Sequence, residues 1–273
     1  YLIIVLNAPL EHHNKKLTIE QKEKYMIVSA VLGIASMLIS FILKRIDFEN
    51  GTVTNNILSA ALPMLVAQIL NLLYNIVDRI YIARIHDIGT TALGAVGLCF
   101  PIIMIITAFS NLFGSGGAPI FSINRGKGDS RTADMIMNTA FTMLCGSAAV
   151  LMLIGFLFAR PLLTLFGASD DALVYAYPYL MIYLLGTLPS MIATGMNPFI
   201  NAQGYAIIGM LSVTVGAVAN IILDPISIFV LDMGIKGAAI ATVISQILSA
   251  LLVFYFLHGK SELKVRWIHI NEI

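Results

Sequence analysis

The sequence predicts an all-α polytopic membrane protein, built as a bundle of transmembrane helices. Of its 273 residues, 58% are hydrophobic and 11% are charged, and the mean hydropathy is +0.88, far from the balance of a soluble domain. Apolar stretches recur at or near the roughly 20 residues that a helix needs to cross a bilayer. These stretches are too long for the roughly ten-residue alternating strands of a membrane barrel.

The apolar stretches divide the chain into three parts. Residues 1–46 form an atypical leader with one hydrophobic segment at 25–43. Residues 47–260 form a six-span lobe, and residues 261–273 begin a cytoplasmic linker. The six spans are predicted at 57–83, 92–113, 135–158, 172–200, 206–231 and 235–257. Because the turns between spans two to six are short and polar, we expect these spans to be antiparallel neighbours.

Basic residues predict the orientation of the lobe, because cytoplasmic loops carry an excess of Lys and Arg. The ends assigned to the cytoplasm carry Lys44 and Arg45 before span one, Arg125, Lys127 and Arg131 after span two, and Lys260, Lys264 and Arg266 after span six. The leader does not fit this rule, since Lys15, Lys16, Lys22 and Lys24 would lie outside if it spans. Its topology stays open.

Two acidic residues, Asp78 in span one and Asp224 in span five, lie within otherwise apolar segments. An ionisable group at membrane depth is costly and usually serves a function. Counting about 1.5 Å per residue from the predicted span ends places Asp78, Asp224 and Thr242 about 8–10 Å below the outer boundary. Because a proton or cation relieves the cost of a buried carboxylate, we expect coupled ion binding, with hydrogen bonds from Tyr74, Asn220 and Thr242.

Four spans carry a polar stripe, because residues three or four apart share one helix face. The stripes are Gln68, Asn71, Asn75 and Asp78 with Tyr74; Tyr179, Tyr183, Ser190, Thr194, Asn197 and Asn201; Ser212, Gly216, Asn220 and Asp224; and Thr242, Ser245, Gln246 and Ser249. We expect a polar cavity lined by Gln68, Asn71, Asn75, Asn197 and Gln246. For Ser212, Gly216 and Ser249, helix packing is the favoured interpretation.

Prolines and glycines predict where the spans bend. Pro63 shares a span with Asp78 and Pro225 directly follows Asp224, so both are expected to kink their helices near an ionisable group. The glycines at 114, 116 and 117 predict a flexible break at the cytoplasmic end of span two. No Lys-Ser or Lys-Thr pair follows them, which argues against a nucleotide site.

No metal site, cofactor or enzyme activity is expected from this sequence. Cys99 and Cys145 have no disulfide or metal spacing around them. No Ser-His-Asp set or His-rich spacing lies at membrane depth. The net charge of +1 gives no overall bias toward nucleic acid.

An ordered set of motifs over roughly residues 47–260 resembles the multidrug and toxic compound extrusion (MATE) transporters. The motifs are Ala61-Leu62-Pro63-Met64-Leu65, Leu73-Tyr74-Asn75-Ile76-Val77-Asp78, Ala95-Val96-Gly97 with Phe100-Pro101, Gly126-Lys127-Gly128-Asp129, Leu165-Phe166-Gly167-Ala168, Asn201-Ala202-Gln203-Gly204, Asn220-Ile221-Ile222-Leu223-Asp224-Pro225, and Gly237-Ala238-Ala239-Ile240-Ala241-Thr242. The set as a whole is specific, although each motif alone is weak. The family has two six-span lobes, and this sequence resembles the N-terminal lobe.

The resemblance implies an antiporter of the prokaryotic cytoplasmic membrane that exports cationic or amphipathic drugs or toxic compounds in exchange for H⁺ or Na⁺. It implies a cation site at Asp78, Asn220 and Asp224. Hydrogen-bonding neighbours would be Tyr74, Tyr179 and Thr242, and Pro63 would bend its helix on ion binding. The implied partners are a small-molecule substrate, membrane lipid and a second six-span lobe that this sequence lacks, but no nucleic acid.

Two other functions stay open. A flippase of lipid-linked oligosaccharides belongs to a related transporter class, but its cavity is expected to carry more basic residues than these spans offer. A non-transporting membrane scaffold fragment would explain the polar stripes, but it gives no functional reason for Asp78 and Asp224.

Overall fold

The computed structural model describes residues 46, 52–86, 88–261, 263 and 265, and all regular structure in this part is helical. The α-helices are α1 (Val53–Ala83), α2 (Gly89–Gly126), α3 (Ser130–Leu165), α4 (Asp170–Leu185), α5 (Thr187–Ala202), α6 (Ala206–Pro225) and α7 (Gly234–Tyr255). Short π-helical turns continue α6 over Ile226–Val230 and α7 over Phe256–Lys260. The all-α fold class is confirmed, while the leader segment lies outside the described residues.

Membrane-spanning helices make up most of the described chain. By length and composition, α1, α2, α3, α6 and α7 can each cross a bilayer, the last two together with their π-helical turns. The pair of α4 and α5 passes the same test when taken as one broken span, which gives up to six spans in this part. The protein is therefore a multi-pass membrane protein.

The predicted fourth span, 172–200, is wrong as one continuous helix. α4 ends at Leu185 and α5 begins at Thr187, with a bend of 57° between them. Pro189 has no N–H group to donate to the carbonyl of Leu185, so the helical hydrogen-bond ladder cannot cross this point. Proline is tolerated there because the first turn of a new helix leaves its N–H groups without intrahelical partners.

The flexible break predicted at the glycines of span two is also wrong. α2 runs without interruption through this region. The glycines instead permit close packing, because a Cβ on Gly114 would lie 2.9 Å from the Cα of Gly195 in α5. A Cβ on Gly117 would lie 2.9 Å from the Cζ of Phe199. Small residues that let two backbones approach are a common feature of membrane helix interfaces.

α1 occupies the periphery of the described lobe. It packs mainly against α6, whereas α2, α5 and α7 each pack against several helices. In α1 only Ala67 and Ile82 are fully buried. The contact with α6 brings Tyr74 and Asp78 of α1 close to Asp224 of α6.

Candidate ion-binding site

α6 supplies two buried polar residues one helical turn apart. Asp224 is 0% exposed and Asn220 is 1% exposed. The Asn220 Nδ2 donates to Asp224 Oδ1 at 3.2 Å and to Thr242 Oγ1 of α7 at 3.4 Å. The Thr242 hydroxyl donates to the Ala238 carbonyl oxygen at 3.0 Å, which leaves its oxygen free to accept from Asn220. These bonds fix the amide of Asn220 between α6 and α7.

Asp78 joins this group from α1. Its carboxyl group lies within hydrogen-bonding range of the carboxyl group of Asp224. Within the described chain, Asp78 Oδ1, Asp224 Oδ2 and Asn220 Oδ1 are buried oxygens without a hydrogen-bond donor. Two ionised carboxylates can only accept, so they become partners only when a proton or a cation is shared between them.

Two tyrosines form the wall of the site. Tyr74 of α1 and Tyr179 of α4 both lie close enough to Asp78 and Asp224 for electrostatic interaction with the carboxyl groups. Tyr179 is 3% exposed, and its ring stacks on that of Tyr183 with centroids 6.3 Å apart. Tyr74 is half-buried. Aromatic side chains beside the carboxyl groups lower the local polarity, which strengthens electrostatic interactions there.

Arg79 is the basic residue nearest to the site along the chain, and its guanidinium has a partner that the sequence did not indicate. Arg79 Cζ lies 5.5 Å from the centroid of the Phe100 ring in α2. A cation over an aromatic face is attracted by the negative face of the ring. This contact holds the Arg79 side chain on α2.

The donor set suits a hard cation or a proton. It consists of two carboxylates, an amide oxygen and a hydroxyl, and oxygen donors of this kind bind hard ions. Among the residues that the structure describes, no group of three His, Cys, Asp or Glu side chains is placed to hold a metal ion.

The predicted cavity residues of α1 are not part of this site. Gln68 and Asn75 are exposed and Asn71 is half-buried on the surface of the described lobe. Asn75 Nδ2 donates to the carbonyl oxygen of Asn71 at 2.7 Å and to its side-chain oxygen at 3.1 Å. A cavity lined by these residues stays a prediction.

The two other predicted cavity residues have different surroundings. Asn197 Nδ2 donates to the Gly209 carbonyl oxygen and to Ser212 Oγ, both at 2.9 Å, so its amide joins α5 to α6. The donors of Asn197 are thus used in helix packing, and its assignment to a cavity stays a prediction. Gln246 of α7 lies against Gly186 at the break between α4 and α5, and its Oε1 is buried without a donor among the described residues.

The two prolines differ in their local effect. Pro63 lies inside α1, which continues as an α-helix on both sides. Pro225 ends the α-helical part of α6, and the next turn is π-helical, with Leu231 N donating to the Ile226 carbonyl oxygen at 2.9 Å. π-Helical turns occur frequently at functional sites. The predicted kink at Pro225 is thus a change of helix type directly after Asp224.

A separate cavity of about 350 Å³ lies between α1, α2 and α5, toward the predicted cytoplasmic end. It is lined by Met64, Ser115, Ala118, Pro119, Ser122, Pro198 and Asn201. The sequence reading missed these residues of α2. The spacing of Ser115, Pro119 and Ser122 at four and three residues is the helical pattern that could have indicated them.

Comparison with known proteins finds a family model and named export proteins that are similar to this chain. The family model MatE matches residues 63–226. The chain is 28% identical over 215 residues to the multidrug export protein MepA of Staphylococcus haemolyticus (strain JCSC1435), covering 79% of this chain and 47% of the relative. It is 27% identical over 221 residues to MepA of Staphylococcus aureus (strain MRSA252), covering 80% and 48%.

The chain is also similar to solved structures of MATE proteins. The crystal structure of a MATE protein in the bent conformation is similar with a TM-score of 0.69 and 28% identity, covering 77% of this chain and 46% of that one. The chain spans about half the length of the curated relatives that it matches.

Proposed function

The chain belongs to the MatE family, and we propose that its six-span lobe is the ion-coupling half of an antiporter that exports drugs or toxic organic compounds. The observation that carries this proposal is the pair of Asp78, which is half-buried, and Asp224, which is fully buried. Their carboxyl groups lie within hydrogen-bonding range of each other, while Asp78 Oδ1 and Asp224 Oδ2 have no donor among the described residues. Packing alone does not require a carboxylate in a membrane helix. A site that exchanges H⁺ or Na⁺ does require one.

The coupling follows from repulsion between the two carboxylates. When both are ionised, like charges at close range push α1 away from α6, and this repulsion is strong where water is excluded. A bound proton or Na⁺ removes the repulsion and supplies a bridge. A ligand shifts a conformational equilibrium by its differential affinity for the two states. α1 suits the moving part because only Ala67 and Ile82 anchor it by full burial.

The membrane potential adds a driving force for this step. A cation that enters across the full membrane gains roughly 2.3 kcal/mol per elementary charge for each 100 mV. This energy is sufficient to bias a bundle with two states of similar free energy. Bending of α1 at Pro63 is the conformational change that the family resemblance implies.

The substrate and partners follow from the relatives. The MepA proteins are named multidrug export proteins, which supports a cationic or amphipathic small molecule as the substrate and transport rather than an enzymatic reaction. Because the chain spans about half their length, a second six-span lobe would complete the substrate cavity. Membrane lipid would surround the apolar faces of both lobes.

The direct test is transport by the full-length natural protein in proteoliposomes. Efflux of a fluorescent cationic dye is measured under an imposed H⁺ gradient, an imposed Na⁺ gradient and no gradient. We expect one ion gradient to accelerate efflux. Equal efflux with and without gradients would overturn the coupling. Movement of a lipid-linked oligosaccharide without movement of dye would instead support a flippase, and movement of neither would support a scaffold.

A further inference from the structure

The last two residues of α5 and the turn that follows them, residues 201–204 and called the 201–204 turn below, contain a fully buried amide. Gln203 is 0% exposed, although it lies in a turn at the predicted cytoplasmic end. Gly204 has a φ of +92°, a left-handed conformation that favours glycine and lets the chain reverse direction here. A buried amide is costly unless its donors and acceptor are used. The hydrogen-bond partners of Gln203 therefore show which parts of the chain pack against this turn.

One partner of Gln203 belongs to the segment that follows α7. The Leu263 N–H donates to Gln203 Oε1 at 3.4 Å, across 60 residues of sequence. The other end of the amide, Gln203 Nε2, donates to Met137 Sδ of α3 at 3.7 Å. Gln203 thus joins the body of the lobe to the described residues after α7, Ser261, Leu263 and Val265, which we call the exit segment.

The exit segment is itself folded back on the end of α7. The Val265 N–H donates to the Leu257 carbonyl oxygen at 3.1 Å, and the Ser261 hydroxyl donates to the same carbonyl at 2.9 Å. Ser261 is 5% exposed and Val265 is 3% exposed. These described residues of the exit segment are packed and hydrogen-bonded to the lobe, unlike a flexible linker.

The turn also receives bonds from two other parts of the chain. The Ile46 N–H donates to the Gly204 carbonyl oxygen at 3.0 Å. Arg125 Nη1, at the end of α2, donates to the Ala202 carbonyl oxygen at 3.2 Å. Residues on both sides of the six-span lobe, Ile46 before α1 and Leu263 after α7, are therefore bonded to one turn.

We propose that the 201–204 turn is a docking site for the exit segment, with Gln203 as the positioning residue that makes this segment a rigid part of the lobe. Packing alone would be satisfied by an apolar side chain of similar volume at position 203. An amide bonded on both sides instead selects one position of the exit segment, because a displaced segment would leave Gln203 Oε1 buried without a donor. This proposal does not depend on the transported ion or substrate.

The test is hydrogen exchange measured by mass spectrometry on the full-length natural protein in lipid nanodiscs. The variant Gln203→Met keeps a side chain of similar volume but removes the acceptor for Leu263. The matched control, Met137→Leu, removes the sulfur partner of Gln203 and keeps the Oε1 acceptor. Peptides that contain Leu263 and Val265 report on the exit segment, and peptides from the middle of α7 report on the fold.

We expect slow exchange of the exit segment in the natural protein and in Met137→Leu, and exchange several-fold faster in Gln203→Met with α7 unchanged. Equal exchange in the natural protein and Gln203→Met would overturn the proposal. If Gln203→Met exposes α7 as well, Ser261→Ala decides, because it removes the hydroxyl bonds to Leu257 and Leu263 without altering the core. Faster exchange of the exit segment in Ser261→Ala supports the docking, and unchanged exchange contradicts it.

Discussion

Polar side chains of α6 and its neighbours cluster at two depths along α6, and the two clusters differ in whether every hydrogen-bond acceptor has a donor. We call these clusters the outer level and the inner level. The outer level consists of Asp78, Asn220 and Asp224, and the inner level consists of Asn197, Ser212 and Ser249. At the inner level, Ser212 Oγ accepts from Asn197 at 2.9 Å and donates to the Gly209 carbonyl oxygen at 2.8 Å. Ser249 Oγ donates to the Ser212 carbonyl oxygen at 2.7 Å. Each hydroxyl here has a partner.

At the outer level, acceptors outnumber donors. One amide group, Asn220 Nδ2, serves both Asp224 and Thr242, while three buried oxygens of the level lack a donor among the described residues. Both levels lie on the same stripe of polar residues spaced four apart in α6, so only their hydrogen bonds distinguish them. Balanced donors and acceptors join helices, whereas two neighbouring carboxyl groups with excess buried acceptors suit the shared proton or cation of the proposed function.

Removing one carboxylate charge from the outer level should have the largest effect of the changes considered, on ion-coupled transport. In the full-length natural protein, we expect Asp224→Asn to reduce ion-coupled transport by at least roughly 10- to 100-fold, because a loss of this size is typical even when a residue that only hydrogen-bonds to an ion's ligand is removed. Thermal stability should be retained or raised, because a buried charge is replaced by a neutral amide of similar shape. Dye efflux in proteoliposomes and thermal unfolding of the purified protein measure the two effects.

The matched control for this experiment is Asn197→Ala at the inner level. It should lower thermal stability and leave the ion dependence of efflux unchanged. Efflux by Asp224→Asn at the natural rate, with the natural ion dependence, would remove the distinction between the two levels.

The glycine contact between α2 and α5 should give the second largest effect, on stability alone. Gly114→Ala places a methyl group against the backbone of Gly195, and overpacking of this kind costs about 1–3 kcal/mol. Gly116→Ala is the control, since a Cβ there meets no atom within 4 Å. Thermal unfolding in detergent should separate the two variants, and equal stability would show that α2 and α5 can move apart at little cost.

A smaller loss is expected when the inner level is broken. Asn197→Ala removes both donors that α5 directs to α6. Interhelical hydrogen bonds in membrane proteins contribute about 0.6 kcal/mol on average and about 1.7 kcal/mol at most, so a decrease of this size is expected in denaturant unfolding. A changed ion dependence of transport in this variant would mean that the inner level also belongs to the ion site.

The smallest effect concerns Asp129, which lies outside both levels and outside the membrane spans. Asp129 caps α3 by accepting from Thr132 N at 3.0 Å and from Thr132 Oγ1 at 2.6 Å, and these bonds lower the pKa of its carboxyl group. A lowered pKa in the folded state gives stabilisation that is present at neutral pH and is lost as the pH falls through the folded pKa. Asp129→Ala should remove this acid-sensitive part of stability, and an unchanged pH profile of unfolding would contradict it.

Much of the fold could be predicted because apolar length is a strong constraint in a bilayer. The helix break at Gly186, between α4 and α5, could not be predicted from the sequence, although Pro189 lies three residues after it. Pro63, Pro101 and Pro178 lie inside continuous helices, so a proline alone does not distinguish a broken helix from an intact one. The contact of Gly186 with Gln246 of α7 arises only from tertiary packing.

The candidate site likewise has some features that the sequence predicts and others that it does not. Depth and helical phase predict that Asp78, Asp224 and Thr242 share a level, and the structure brings them together around Asn220. The same reasoning places Asn197 in a cavity, which stays a prediction, and it could not show that the donors of Asn197 bond to α6, because a polar stripe does not reveal the acceptors on a neighbouring helix. The position of Tyr179 beside the carboxyl groups came from the family resemblance, since helix phase gives no distance between α4 and α1.

The most direct test of the outer level is equilibrium cation binding by the purified full-length protein. H⁺ uptake is measured by potentiometric titration and Na⁺ binding with radioactive sodium, for the natural protein, Asp224→Asn and Asn197→Ala. We predict one bound cation that is lost in Asp224→Asn and retained in Asn197→Ala. Equal cation binding by all three proteins would contradict the assignment of Asp78 and Asp224 as the ion site.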